Sequence, residues 1–220
     1  MLDIRTLWRG ALAATAAVMV LFAISASAGD ILDDWDSVKA PPKPELKAVT
    51  LDPSTTALLI LDMTKNGACK TRPRCMATLP NIKRLYDAAR AANVMLWYSL
   101  VGAGEPTGAD IIDPGFAPRD GEWARQGGPD KFLGSNLEEK LKARDIKTVV
   151  VCGTSFQGVG VGTGSEAAQR GYKVIIPVDC LSSDDPYNEQ YAAWHMFKGG
   201  PGVVTGNSTL TRSTMVKFAK

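Results

Sequence analysis

Short apolar runs alternate with amphipathic stretches along most of the chain. Residues 56–61 (TALLIL), 94–101 (VMLWYSLV), 148–152 (TVVVC) and 173–178 (KVIIPV) are brief and rich in branched or aromatic side chains. Such runs predict strands buried on both faces of a parallel sheet. Between them, residues 81–92 (NIKRLYDAARAA) place Ile82, Leu85, Tyr86 and Ala89 on one helical face. A second helix is predicted over 135–142, where Ser135 and Glu138 have capping-box spacing. Further helices are predicted over 157–170 and 186–197, then a short strand or turn at Val203–Val204 and a last helix near Ser213. Strand and helix alternating in this way predict an α/β fold, a mostly parallel sheet covered by helices on both faces in three layers.

The stretch 148–172, TVVVCGTSFQGVGVGTGSEAAQRGY, organises the rest. It reads as a strand, a tight turn at Gly153 and a helix whose first two turns carry Gly158, Gly160, Gly162 and Gly164. Each helical glycine costs about 0.8–1 kcal/mol relative to alanine, so propensity alone does not select this run. Close packing of helix on sheet would explain it, and so would a ligand approaching the backbone.

The first 28 residues change the picture of the compartment. Arg5 and Arg9 precede an apolar run from Ala11 to Ile24, and Ala26, Ser27 and Ala28 form a small-residue cleavage pattern. This reads as a secretory signal peptide cleaved after Ala28, with a persistent N-terminal anchor as the alternative. The protein is then expected in the periplasm or secreted, with no membrane attachment once the signal is gone. Residues 29–55 are acidic, then proline-rich, and read as an N-terminal arm; 56–220 form the domain. Removing Arg5, Arg9 and Asp3 with the leader leaves 23 basic against 22 acidic residues. That balance gives no electrostatic basis for a nucleic-acid or anionic-membrane partner, which leaves a small molecule or another protein. In an oxidising compartment Cys69 and Cys75, closing the polar loop CKTRPRC, are expected to form a local disulfide. They lack two further ligands for zinc. Cys152 and Cys180, each ending a predicted strand, read as buried free thiols, or else as a bridge between strand ends.

Chemistry in such a sheet collects beyond the carboxyl ends of the strands. Asp62, residues 97–99, 153–159 and Asp179 fall there, and Lys131 can join them from the long Gly/Pro/Asp-rich loop 102–130 and its exit. A strand-end carboxylate facing a lysine is a candidate acid/base pair; a turn-capping aspartate and a solvated lysine are the plainer alternative. Known nucleotide and hydrolase motifs fail: Ser165 stands where the third glycine of a dinucleotide fingerprint belongs, and Val159 and Gly160 replace the Walker Lys and Ser/Thr. There is no Gly-x-Ser-x-Gly elbow, and His195, the only histidine, lies in a helical YAAWHMF context.

Taken in order, LLILDMTKNG, DKFLGSNLEEKLKARDIKTVVVCG and TSFQGVGVGTGSEAAQRGYKVIIPVDC resemble the isochorismatase-like (cysteine hydrolase) superfamily. The resemblance spans about residues 56–183. It implies a six-stranded parallel sheet, homo-oligomers with sites near subunit contacts, and a non-proline cis peptide around Gly153 to Ser155. Hydrolases of this superfamily use an Asp–Lys–Cys triad. Asp62 matches the aspartate and Lys131 the lysine, whereas the nucleophile position falls on Val159. Neither Cys152 nor Cys180 is in register. The departure points away from thioester chemistry and towards the isochorismatase branch, where an aspartate protonates a vinyl ether and water completes the hydrolysis. The metal-binding branch carries histidine after the second strand; WYSLVGAG has none, so no metal or cofactor is expected. The expected pocket uses Thr154, Ser155 and Gly158, with Phe156 and Trp123 along its wall and Trp97 in the core. A catalytically inactive member serving as a binding or structural protein is the alternative.

Overall fold

The computed structural model describes residues 29–219; the leader expected at residues 1–28 lies outside the described residues. The chain divides into two compact units, Met1–Ala40 and Pro41–Lys220. In the first, residues 31–37 form turns, and Asp30 Oδ1 accepts a 2.8 Å hydrogen bond from the Leu32 backbone. The second unit carries the sheet.

Its elements run β1 (Val49–Leu51), β2 (Thr56–Leu61), α1 (Pro73–Met76), α2 (Leu79–Ala91), β3 (Met95–Leu100), β4 (Trp123–Arg125), α3 (Leu137–Ala143) and β5 (Thr148–Thr154). There follow α4 (Val161–Gln169), β6 (Lys173–Pro177), β7 (Leu181–Ser182), α5 (Pro186–Trp194), α6 (Gly202–Asn207), β8 (Ser208–Thr211) and β9 (Val216–Phe218). The main sheet has the order β4-β3-β2-β5-β6-β8, with β7 paired to β5, and all these pairings are parallel. The expected six strands are therefore joined by a two-residue seventh. Successive strands spread outward from β2 to β4, and the chain then returns to the other side of β2 with β5. This reversal opens a crevice between the carboxyl ends of β2 and β5, where sheets of this kind bind ligands.

Both faces are covered because every residue of β2 is buried. Ala57, Leu59 and Leu61 pack with Val149 and Val151 against α3, α4, α5 and α6. Leu58 and Ile60 pack with Val150 and Cys152 against α2, whose Ile82, Leu85 and Ala89 form the predicted stripe. Trp97 and Tyr98 are fully buried, and each polar tip is satisfied: Trp97 Nε1 donates to Asn136 Oδ1 and Tyr98 Oη to the Phe116 carbonyl.

Several sequence expectations need correction. Within the stretch read as an arm, β1 pairs with β9 and the Lys47 backbone donates to the Leu210 carbonyl. Ser135 does not cap a box with Glu138. Its hydroxyl instead donates to the Lys131 carbonyl and accepts from Leu137 N–H, while Glu138 pairs with Lys142 and Arg170. Val203 and Val204 lie in helix α6, and Ser213 starts a single 3-10 turn leading into β9. The long loop supplies edge strand β4. Cys69 and Cys75 form the disulfide, and Cys152 and Cys180 are free and buried. Burial, reinforced by the neighbouring Cys152 thiol, pushes the Cys180 pKa far up, so that thiol stays protonated and unreactive.

Candidate active site

Asp62 follows the last residue of β2 with φ 60°, a left-handed conformation that aspartate tolerates better than most residues. This turns its carboxylate into the crevice. The Lys131 ammonium, fully buried, donates to Asp62 Oδ2 at 2.9 Å and to the Gln126 carbonyl at 2.7 Å. The Ser99 hydroxyl, from the end of β3, donates to Asp62 Oδ1 and also accepts from the Asp62 backbone at 3.1 Å. Burial is the largest influence on both charged groups. It raises the Asp62 carboxyl above its ordinary range and depresses the Lys131 ammonium, while their mutual attraction opposes both shifts. The two therefore titrate as one coupled pair, poised closer together than free carboxyl and amine.

The glycine-rich stretch builds the opposite wall. Gly153 has φ 135°, and a Cβ there would lie 2.8 Å from the Leu61 carbonyl carbon, so only glycine lets β5 pass this close to the residue before Asp62. The Thr154–Ser155 peptide is cis, in the span where the resemblance implies one. Residues 156–160 form one π-helical turn before α4. At Gly162 a Cβ would come 2.7 Å from the Pro129 carbonyl oxygen. Its absence lets α4 lie against the loop that carries Lys131. Thr163 next to it locks the contact: its hydroxyl donates to the Pro129 carbonyl at 3.0 Å and accepts from Lys131 N–H at 3.2 Å. Close packing thus explains part of the glycine run, and that packing positions the lysine.

A cavity of about 240 Å³ opens between these walls, lined by Asp62, Arg72, Thr154, Ser155, Gly158 and Val159 among others. Lys131 does not line it; the lysine acts on the cavity through Asp62. Phe156 and Trp123, expected at the wall, are elsewhere. Phe156 is buried in the core beneath the π-turn, and Trp123 stands on edge strand β4 with its ring 5.7 Å from the Arg125 guanidinium. Asp179 also lies apart, where it accepts from the Ser213 backbone and hydroxyl at 2.8 and 2.7 Å and anchors the C-terminal segment. Arg72 is the charged cavity residue that sequence reasoning missed. It sits inside the disulfide loop, which carries no chemical pattern of its own. Gln126 and Thr163 were missed too, because they act through backbone and hydroxyl contacts that no motif marks. Among the described residues, no group of three or more His, Cys, Asp or Glu side chains is placed to hold a metal.

Comparison with known proteins adds to this geometry. Residues 56–208 match the isochorismatase domain. YwoC, an uncharacterised isochorismatase family protein of Bacillus subtilis, is 29% identical over 164 residues, or 63% of this chain and 83% of its own. N-carbamoylsarcosine amidase from an Arthrobacter species is 34% identical over 112 residues, 48% of this chain; the match spans only 42% of the amidase. Among solved structures, an isochorismatase family protein from Desulfovibrio vulgaris superposes with a TM-score of 0.62 at 25% identity, covering 73% of this chain and 95% of that one.

Proposed function

Because the chain belongs to the isochorismatase family, we propose that it is an exported hydrolase that cleaves a small molecule by Asp62–Lys131 acid/base chemistry, without a covalent cysteine intermediate. The observation that carries this reading is the 2.9 Å contact between a buried lysine and an aspartate that lines a cavity. A carboxyl raised by burial keeps its proton to higher pH than a free carboxyl does, which suits it to delivering that proton to substrate. On a vinyl ether, Asp62 protonates the terminal alkene carbon, and the enol-ether oxygen stabilises the cation that forms. Water adds to that cation and loses a proton to the Asp62 carboxylate, and the hemiketal then collapses to a ketone and an alcohol. Lys131 stabilises the carboxylate left after the first transfer. Backbone N–H groups between Thr154 and Val159 offer hydrogen bonds to an oxyanion on the substrate. No nucleophile is required at the position of Val159, whose isopropyl group fills the cavity wall.

Export is supported by the leader-like start of the sequence and by the Cys69–Cys75 disulfide, which belongs to an oxidising compartment. The partner read from this site is a small-molecule substrate, and the family resemblance adds homo-oligomers. The competing amidase reading is favoured by the 34% identity to N-carbamoylsarcosine amidase. A screen of the full chain on vinyl-ether and amide substrates, beside Val159→Cys, separates them. Wild-type turnover of a vinyl ether supports the proposal. Amide turnover gained only in Val159→Cys would mark a scaffold that has lost its own reaction and leave the wild type as a binding protein.

A further inference from the structure

We propose that Arg72 determines specificity in the Asp62 cavity, selecting substrates that carry a carboxylate. This rests on the reading of that cavity as the substrate site, but it concerns recognition and not the bond broken. Arg72 lies in the loop closed by Cys69 and Cys75, whose backbone is held by Arg72 N–H to the Cys69 carbonyl (3.0 Å) and Met76 N–H to the Arg72 carbonyl (3.1 Å). The loop projects the side chain across to β5, where Nη1 makes a long 3.4 Å contact with the Thr154 hydroxyl, while Nε pairs with Asp184.

Charge decides what this arginine is available for. Asp62 and Arg72 are the two ionisable residues lining the cavity. Asp62 is already matched by buried Lys131. Arg72 is matched by Asp184, whose side chain is 58% exposed. A pair with so exposed a partner is weakly held, so it yields readily to a better-placed anion. The guanidinium is planar and matches a carboxylate with two parallel hydrogen bonds. Its side chain is only 24% exposed, so an anion bound between it and the cavity is largely shielded from competing water. The disulfide thereby gains a role in recognition, because it fixes the loop from which the arginine reaches.

Binding without turnover tests this. A cavity of about 150 Å³ accommodates benzene, so benzoate and its neutral isostere benzamide suit the 240 Å³ available. Calorimetry on the full chain is expected to show benzoate binding at least tenfold tighter than benzamide, with the preference shrinking as salt rises. Arg72→Gln is expected to abolish the preference while leaving benzamide affinity unchanged, which also reports an intact cavity. Arg72→Lys should retain part of it. Asp184→Asn removes the competing carboxylate and should strengthen benzoate binding, so the idea stays testable if Arg72→Gln fails to fold. Equal affinities in the wild type, no benzoate binding at millimolar concentration, a preference that survives Arg72→Gln, or weaker benzoate binding in Asp184→Asn would each overturn the assignment. Because no bond is broken, these results stand apart from the hydrolase reading, which is tested by turnover.

Discussion

Asp62→Asn is expected to lower turnover of a vinyl-ether substrate by about 10²–10⁴-fold, the range that positioned general acids contribute. Asparagine preserves size and can accept from Lys131 through its one oxygen while its amide N–H faces the Ser99 hydroxyl, so the transferable proton is what is lost. The pH profile tests the same role. The acid form of Asp62 is required, and burial raises its pKa. Wild-type activity is therefore full below that raised value and declines as pH climbs through it. Lys131→Met removes the charge that pulls Asp62 down, so the decline should move to higher pH. Activity that instead rises through the same range would make Asp62 a base. Stability follows a related sign. A carboxyl whose folded pKa is raised is penalised above that pKa, and an ammonium whose folded pKa is lowered is penalised below it. The pair thus weakens the fold in the window between. Asp62→Asn alone strands a buried ammonium, whereas Asp62→Asn with Lys131→Met should be neutral or stabilising, as for other buried ion pairs replaced by uncharged groups. Denaturant midpoints of the single and double variants check this, and a double variant less stable than either single would contradict it.

Gly153→Ala is expected to be the most damaging single methyl in the domain. The new Cβ would meet backbone, not a flexible side chain, because its nearest neighbours are the carbonyl group and nitrogen of Leu61 on the paired strand. A φ of 135° adds conformational strain for any residue with a side chain. Overpacking and strain together cost about 2–6 kcal/mol, at its upper end comparable with the whole stability of a marginal domain. The variant should accumulate poorly and unfold at much lower denaturant. Any soluble fraction should have lost activity, since relieving the clash moves β5 away from the residue that leads into Asp62. A Gly153→Ala protein with the wild-type midpoint would refute this account of the turn.

The central strands were readable because β2, β3, β5 and β6 are buried on both faces and so must be apolar at nearly every position. Edge strands escape that constraint. WAR in β4, STLT in β8 and VKF in β9 are three or four residues long and carry polar side chains, and their pairing is decided by which neighbour reaches them. Val203–Val204 misled for a related reason: two β-branched residues suggest a strand, but the segment packs Val204 into the core from a helix. At the site, Asp62 was legible as a carboxylate at a strand end, and Lys131 through family resemblance. Phe156 and Trp123, expected along the wall, lie instead in the core and on edge strand β4. Arg72 could not be found from the sequence because its position depends on how the disulfide loop folds back over β5.

The central claim is hydrolysis without a covalent enzyme intermediate, and intact-mass measurement of the full chain quenched during turnover tests it most directly. The account predicts a protein of unchanged mass while product accumulates. A population heavier by a covalently held fragment of the substrate, appearing and decaying at the turnover rate, would contradict it.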